Sequence, residues 1–513
     1  MRSDGLLPYE FEEEPTSCEL TGHVGLLPYI DLMCILGILK EADRKIGISG
    51  KQGWMDRQHL MALVLLNIAG GENVEDIRLL EVDEGLCRIV RHAEKYGLSK
   101  AERASLDLRF RKGRDRTFPS PTRLYEYLNK FHNSSEETKR LEGCAFIPEK
   151  NEYLLGLGEV NRSLIRSVVQ HYLQAEATLD IDATLAETTK KEALYCYDGY
   201  RAYQPISAYW AETGLVVFSE FRDGNVPAGY DMLRILKESI AALPDTVKKI
   251  RLRMDSAGYQ HEVLRFCATG DEGKRDVIEF TVSNDMTAEF RSAVMEVSEE
   301  DWKPLYRLER GGQIETGQEW AEVPYIPNKI AFTSKVKPYR YIAIREPVRQ
   351  AVLPGMEDTE AQISLPFASV VCSGKTYRVK GIVTNRDGAG DDVIRWHYER
   401  CGKSEEAHSV MKNDLAGGTF PSGKFGTNAA WWGMMVLAYN LHVAMRLLVL
   451  PEGMKKKRLK GIRFALIDVP GRVMCHARQL FVRLAKGHPA LEWLVEMRRK
   501  LGQLFLSPAY QWR

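Results

Sequence analysis

The sequence predicts an α/β protein: a mixed sheet flanked by helices, interrupted by a β-rich insertion, between a helical N-terminal region and a helical C-terminal tail. Three observations predict it. Residues 24 to 132 carry apolar side chains at three- and four-residue spacings, as in YIDLMCILGILKEADRKIG and RQHLMALVLLNIAGGENVEDIRLLEV, which is the period of amphipathic helix. From about residue 177 the texture changes to short β-branched and aromatic runs, TLDIDAT, QPISAYWAE and GLVVFSEF, separated by turns. Beyond these, the helical patterns AGYDMLRILKESIAAL and SAGYQHEVLRFCA alternate with the strand-like KKIRLRMDS and DVIEFTVSN. The order is therefore β-β-β-α-β-α-β, with the first three strands suited to an antiparallel meander and the helices able to cover both faces.

Residues 291–390 break the alternation with Trp302, Trp320 and the β-like runs YRYIAIREPV and TYRVKGIVTN. The two tryptophans suit core positions. A helical stretch around VIRWHYERCGKSEEAHSVMKNDLAGG follows, with Gly417-Gly418 as its stop. The expected divisions are an acidic tail over 1–23, a helical region over 24–150, and the first part of the sheet core over 177–290. The insertion over 291–390, the rest of the core over 391–450 and a basic, helical C-terminal region over 451–513 complete them.

The chain has 513 residues, 44% hydrophobic and 27% charged, an ordinary globular balance with ample material for a core. With 71 basic against 70 acidic side chains, any charge that attracts nucleic acid must be local. Five of the eight residues from Arg109 to Arg116 are basic, and Lys455 to Arg458 is an unbroken basic run. The nine cysteines contain no Cys-x-x-Cys pair, so neither a zinc ribbon nor a disulfide framework is supported, and a reduced, cytoplasmic setting is expected. The opening MRSDGLLPYEFEEEP lacks a basic-then-apolar signal pattern. The apolar stretch Asn428 to Leu450 is interrupted by Asn440, His442 and Arg446, which favours a buried helix over a membrane span. No membrane partner is expected.

In the N-terminal region, basic residues Arg109, Arg111, Lys112, Arg114, Arg116 and Arg123 surround a Pro-Ser-Pro-Thr cluster. A short helix with Leu124, Tyr125, Leu128 and Phe131 follows. Many DNA-reading helices begin this way, and so do many ordinary surface helices.

Two acids occupy special places. Asp182 lies in the strand-like LDIDAT, and Asp255 ends the run at MDSAG, where strand gives way to helix. Carboxylates held on rigid elements suit Mg²⁺ or Mn²⁺, although an isolated strand-end Asp is more often a cap. Asp180 should face the same side as Asp182 and competes with it. A third element is Tyr398, Cys401, Glu405 and Lys412, at offsets of 0, 3, 7 and 14. Seven residues make almost two helical turns, so these four side chains fall on one stripe, although a solvated helix laced with charge pairs would give the same spacing.

Together, LDIDAT, RMDSAG and YERCGKSEEAHSVMKNDLAGG, followed by AAWWGMMVLAYNL, resemble the ribonuclease-H-like catalytic core of DDE transposases. Within these the chain is similar to the bacterial insertion sequences with a Tyr-x2-Arg-x3-Glu-x6-Lys signature, and specifically to the insertion-sequence thirteen-eighty group. The resemblance covers residues 177–450 well and the two ends only in general character. It implies Asp182, Asp255 and Glu405 as the catalytic, metal-holding acids, with two Mg²⁺ ions and Mn²⁺ as substitute. It also implies Tyr398 and Lys412 in the flanking signature positions. The signature's arginine position holds Cys401, with Arg400 just before it, and Arg400 is the candidate for that phosphate contact. Implied partners are double-stranded DNA, as terminal inverted repeats and as target, and a second copy of the chain in a synaptic dimer in the cytoplasm, at the nucleoid. The insertion goes with hairpin-type excision in this branch. The basic segment 109 to 123 would grip terminal-repeat DNA. His408, one turn beyond Glu405, reads as a helix-surface histidine. A non-transposing metal-dependent nuclease and a transposase-derived DNA-binding protein are the alternatives.

Overall fold

The computed structural model describes residues 19–110, 113–270, 276–309, 312–327, 339–348, 368–372, 374–476 and 479–507. The N-terminal part is helical: α1 (Leu27–Ile35), α2 (Ile38–Lys45), α3 (Asp56–Ala69), α4 (Glu84–Ala93), α5 (Pro121–Asn129) and α6 (Glu152–His171). Gly37, at φ 73°, makes the left-handed turn between α1 and α2, a conformation in which a Cβ is strained. Every residue of α3 from Asp56 to Ile68 is buried, so it is a central helix with no solvent face. In α5, Pro121 fills the first turn and the Ser120 hydroxyl accepts the Arg123 N–H, a preferred start for a helix. Leu124, Leu128 and Phe131 go into the core as their spacing requires.

Ten strands form one mixed sheet: β1 (Glu176–Ala183), β2 (Ile206–Trp210), β3 (Leu215–Glu220), β4 (Lys249–Met254), β5 (Glu279–Asn284), β6 (Lys303–Glu309), β7 (Gly312–Val323), β8 (Arg340–Pro347), β9 (Ser369–Cys372) and β10 (Lys375–Thr384). Their spatial order is β3-β2-β1-β4-β5-β10-β8-β7-β6, with β9 beside β10. The meander β1-β2-β3 is antiparallel, and β4 and β5 add in parallel to β1. Parallel neighbours need crossovers. The helices α7 (Met232–Ala242) and α8 (His261–Thr269) lie in those two connections. The strands that read as an insertion extend this same sheet, because β10 pairs antiparallel with β5 and carries the others outward. Trp302 and Trp320 are both buried there, and Trp320 belongs to a small separate core with Ile342, Ile382 and Ile394.

The helical stretch after the sheet is broken into α10 (Gly390–Tyr398) and α11 (Lys403–Ser409), numbered after α9 (Ala288–Met295), and continues as a π-turn over Val410–Asp414. Helix α12 (Phe425–Leu448) is a core helix, and its polar residues are there to bond. Asn440 accepts the Val216 N–H and donates to the Val216 carbonyl and to Asn161, while His442 Nδ1 meets the Tyr29 hydroxyl at 2.8 Å. Among the described residues no helix is long and apolar enough to cross a membrane.

The C-terminal region departs from the expected all-helical tail. Before α13 (Ala490–Phe505) it forms a hairpin of β11 (Gly471–His476) and β12 (Gln479–Arg483), and β11 pairs with the two-residue strand Leu20–Thr21. RVMCHARQLFVR has the two-residue alternation of a strand, but its partner lies some 450 residues away in sequence (Arg472 against Leu20). Residues 1–18, most of the predicted acidic tail, lie outside the described residues.

Candidate active site

The floor of the site is set by register. Strands β1 and β4 are parallel, with Asp180 opposite Arg253 and Ile181 opposite Met254. Continuing that register brings Asp255 beside Asp182, and the two-residue alternation puts Asp180, Asp182, Arg253 and Asp255 on one face. Asp180 and Arg253 are wholly buried and bind each other through two bonds, Nε to Oδ1 at 2.6 Å and Nη2 to Oδ2 at 2.9 Å. Arg253 also donates to the Trp396 carbonyl and to Glu399, and its guanidinium lies over the Trp396 ring. His397 reaches Thr281 at 3.0 Å and Ser283 at 3.2 Å on β5. Burial pushes His397 down to about 3, with Arg400 and Arg253 adding to the effect, so it stays neutral. These contacts dock α10 over the acid-bearing face. Asp180 is thus a structural anchor, and Asp182, at the open end of the strand, is the carboxylate left for other work. Arg253 was legible in RLRMDS, two residues before Asp255 on the same face, but its partner was not.

Asp182 has a side chain 19% exposed, and its pKa is raised to about 6. Burial is the main cause; the charges of Asp255 and Glu405 push it further up, while Arg400 and the Ala183 N–H pull it down. Asp255 caps the short turn Ser256–Gly258, its Oδ1 accepting the Ala257 N–H at 3.0 Å. Glu405 is exposed in the first turn of α11. Asp182 therefore lies within electrostatic reach of both other acids. Among the described residues no three His, Cys, Asp or Glu side chains are gathered closely enough to hold a metal ion. The donor chemistry fits a hard divalent cation all the same: three carboxylates, one of them held partly desolvated against like charge, which a cation would relieve.

The single-helix stripe is a misreading that the backbone corrects. Gly402 sits at φ 91° between α10 and α11, so Tyr398 and Glu405 do not share a helix face. The break has a cause, since only glycine takes that conformation without strain. Tyr398 packs against the small core containing Trp320, with the Lys380 ammonium 5.9 Å from its ring centroid. Cys401 is exposed in the turn. Arg400 turns inward instead, its Nη1 3.5 Å from Asp182 Oδ2 and its buried Nε without a partner. Lys412 donates to the Leu185 carbonyl at 3.0 Å, which ties the π-turn to the loop leaving β1, and burial lowers its pKa. His408 is buried, contrary to the surface position expected, and burial pushes it down to about 4 with Lys412 and Arg400 adding to the effect.

The basic segment is spent largely on the protein itself. Arg109 donates to the carbonyls of Gly53 and Gly50. Arg114 is buried against Glu94 at 2.6 Å, lies over the Trp54 ring, and donates to the Arg116 and Thr117 carbonyls. Arg116 is 3.7 Å from Glu81. Arg123 is exposed and pairs with Glu126 one turn on. Arg111 and Lys112 lie outside the described residues.

Residues 51–505 match the family described as transposase DDE domain, group 1. The chain belongs to that family. Among solved structures, the transposase is similar to the piggyBac transposase in its cryo-EM synaptic complex with hairpin DNA. The identity is 9% over 94% of this chain and 82% of that one, with a TM-score of 0.41. At that distance nothing about the site follows from the likeness. No curated protein matches the transposase.

Proposed function

We propose that the transposase cuts DNA at the ends of its element and joins the freed 3′-hydroxyl to target DNA, using Asp182, Asp255 and Glu405 to hold two Mg²⁺ ions, with Mn²⁺ as substitute. The observation that carries this reading is Asp182: a strand-end carboxyl, raised to about 6 by burial and by the charges of the other two acids. The order β3-β2-β1-β4-β5, with an antiparallel meander and two parallel additions, supports a ribonuclease-H-like core. The signature residues support the insertion-sequence thirteen-eighty branch of bacterial elements.

When bound, the metal pair supplies charge stabilisation to the entering and leaving oxygens of the phosphodiester. The chain's own residues do the positioning. Asp255 is fixed by its cap bond, Asp180 and Arg253 hold β1 and β4 in register beneath the site, and Lys412 holds the continuation of α11 against the loop after β1. Arg400 places a cation beside Asp182 and is the candidate phosphate contact in place of Cys401. His408 and His397 are buried neutral, and no protein base is assigned. The partners are terminal inverted repeats and target duplex, engaged by a synaptic homodimer at the nucleoid.

The test is Mg²⁺-dependent cleavage of end-containing DNA by the wild type and by Asp182→Ala, Asp255→Ala and Glu405→Ala. The wild type should cut and join, and each variant should lose both. Cutting without joining would make the protein a nuclease only, and equal cutting by all four would remove the three acids from the chemistry.

A further inference from the structure

We propose that the segment 455–464 is a duplex-DNA backbone surface that continues the active site. Four groups there are offered to solvent. Lys456, Lys457 and Lys460 are exposed with no carboxylate at ion-pair distance among the described residues, and Phe464 is 87% exposed. Their neighbours are used differently. Lys455 pairs with Glu452, and Arg458 grips Asp414 through Nε at 2.9 Å and Nη2 at 3.0 Å and also reaches Ser409. The Lys460 N–H adds a bond to Asp414, and Arg463 donates to the Asp414 carbonyl at 2.7 Å. The segment is thereby clamped onto the π-turn Val410–Asp414, the direct continuation of the helix that bears Glu405. Phe464 stands on a second π-turn, Arg463–Ile467, and such turns recur at functional sites.

Nine residues separate Glu405 from Asp414, a rise of at most roughly 13 Å because the last turn is wider and shorter than an α-turn, comparable to the width of a DNA major groove. A duplex whose scissile phosphate lies at Asp182 and Glu405 would therefore have backbone within reach of these lysines. Three unpaired ammonium groups fit a polyanion, and an exposed ring among them fits stacking or insertion at a base step. This assignment moves the phosphate grip away from residues 109–116, where Arg109 and Arg114 bond internally. It rests on the transposase reading for its substrate, DNA.

The experiment measures binding of the full chain to a duplex of about 40 base pairs by fluorescence anisotropy, across a salt series and with EDTA present to prevent cutting. Each phosphate contact contributes a slope of about −0.9 in log K against log salt. The triple Lys456→Ala, Lys457→Ala, Lys460→Ala should flatten the slope by about 2 to 3. Phe464→Ala should weaken binding several-fold with the slope unchanged. Thermal midpoints should match the wild type, since the altered side chains are exposed. An unchanged slope in the triple would overturn the proposal. So would an equal flattening by Lys40→Ala, Lys100→Ala, Lys130→Ala, three exposed lysines on the N-terminal side, because net charge alone would then be the cause. A wild type that binds with the expected slope but never cuts in Mg²⁺ sinks the catalytic reading and leaves this surface standing. Failure of the wild type to bind duplex at all removes both.

Discussion

Two aspartates two residues apart should respond to the same substitution with opposite signs. Asp180 is wholly buried and doubly bonded to Arg253. Asp180→Asn leaves that guanidinium with only the Trp396 carbonyl and the exposed Glu399 carboxylate as partners, a loss of at most about 3–5 kcal/mol for breaking a buried pair from one side. Burial raises the Asp180 carboxyl as well, but its two Arg253 bonds pull it back; Asp182 has no such bonded partner, only Arg400 at 3.5 Å. The Asp182 pKa is raised from 3.8 to about 6, mainly by burial, so the folded state disfavours its ionised form. A raised carboxyl pKa means that stability is fullest below the unfolded value, falls as pH rises from about 4 to 6, and stays low above that. The shift corresponds at most to about 3 kcal/mol at pH 7. Asp182→Asn should therefore be as stable as the wild type or more so at pH 7 and lose the pH 4–6 slope. Urea unfolding of the metal-free protein in EDTA, followed by tryptophan fluorescence from pH 4 to 8, reads both effects. If Asp182→Asn lowers the midpoint at pH 7 more than Asp180→Asn does, the division of labour between the two acids is refuted.

Arg400→Gln should bind Mn²⁺ about tenfold more tightly without DNA, roughly 1.4 kcal/mol, because a guanidinium beside Asp182 repels a dication; manganese EPR titration would register unchanged or weaker binding as a failure. Asn440→Leu should cost about 1–3 kcal/mol by leaving the Val216 N–H unpaired in the core, read as a lower urea midpoint. Gly390→Ala should destabilise by about 1–3 kcal/mol, since its Cβ would clash with the Trp320 ring, and the near-UV circular dichroism should change with it.

The core of the sheet was legible because its strands carry local texture and its crossovers carry helical period. LDIDAT, IRLRMDS and IEFTVSN became β1, β4 and β5, and the expected meander formed, with a short turn between β2 and β3 and a longer connection from Ala183 to Ile206. Partners distant in sequence were not legible. The strand character of YRYIAIREPV and TYRVKGIVTN was visible, but nothing local says that β10 joins β5, and β11 finds its neighbour at Leu20–Thr21. At the site, strand alternation left Asp180 and Asp182 equivalent until Arg253 separated them by burial. The stripe from Tyr398 to Lys412 failed because spacing was counted through Gly402 as though the helix ran on. A glycine within a polar turn, Glu399 to Lys403, was the available sign. The basic cluster misleads for a related reason: composition counts Arg114 as a surface charge, whereas Glu94 and the Trp54 ring take it inside.

The central claim is that Asp182 and Glu405 touch the metal ions that carry the reaction. Cleavage of end-containing DNA by Asp182→Cys and Glu405→Cys, compared in Mg²⁺ and in Mn²⁺, tests it most directly. A thiolate is a poor ligand for Mg²⁺ and a better one for the softer Mn²⁺. Both variants should be inactive in Mg²⁺ and regain cutting in Mn²⁺, while the corresponding alanine variants stay inactive in both. Full activity of the cysteine variants in Mg²⁺, or equal rescue of the alanine variants by Mn²⁺, would contradict the account.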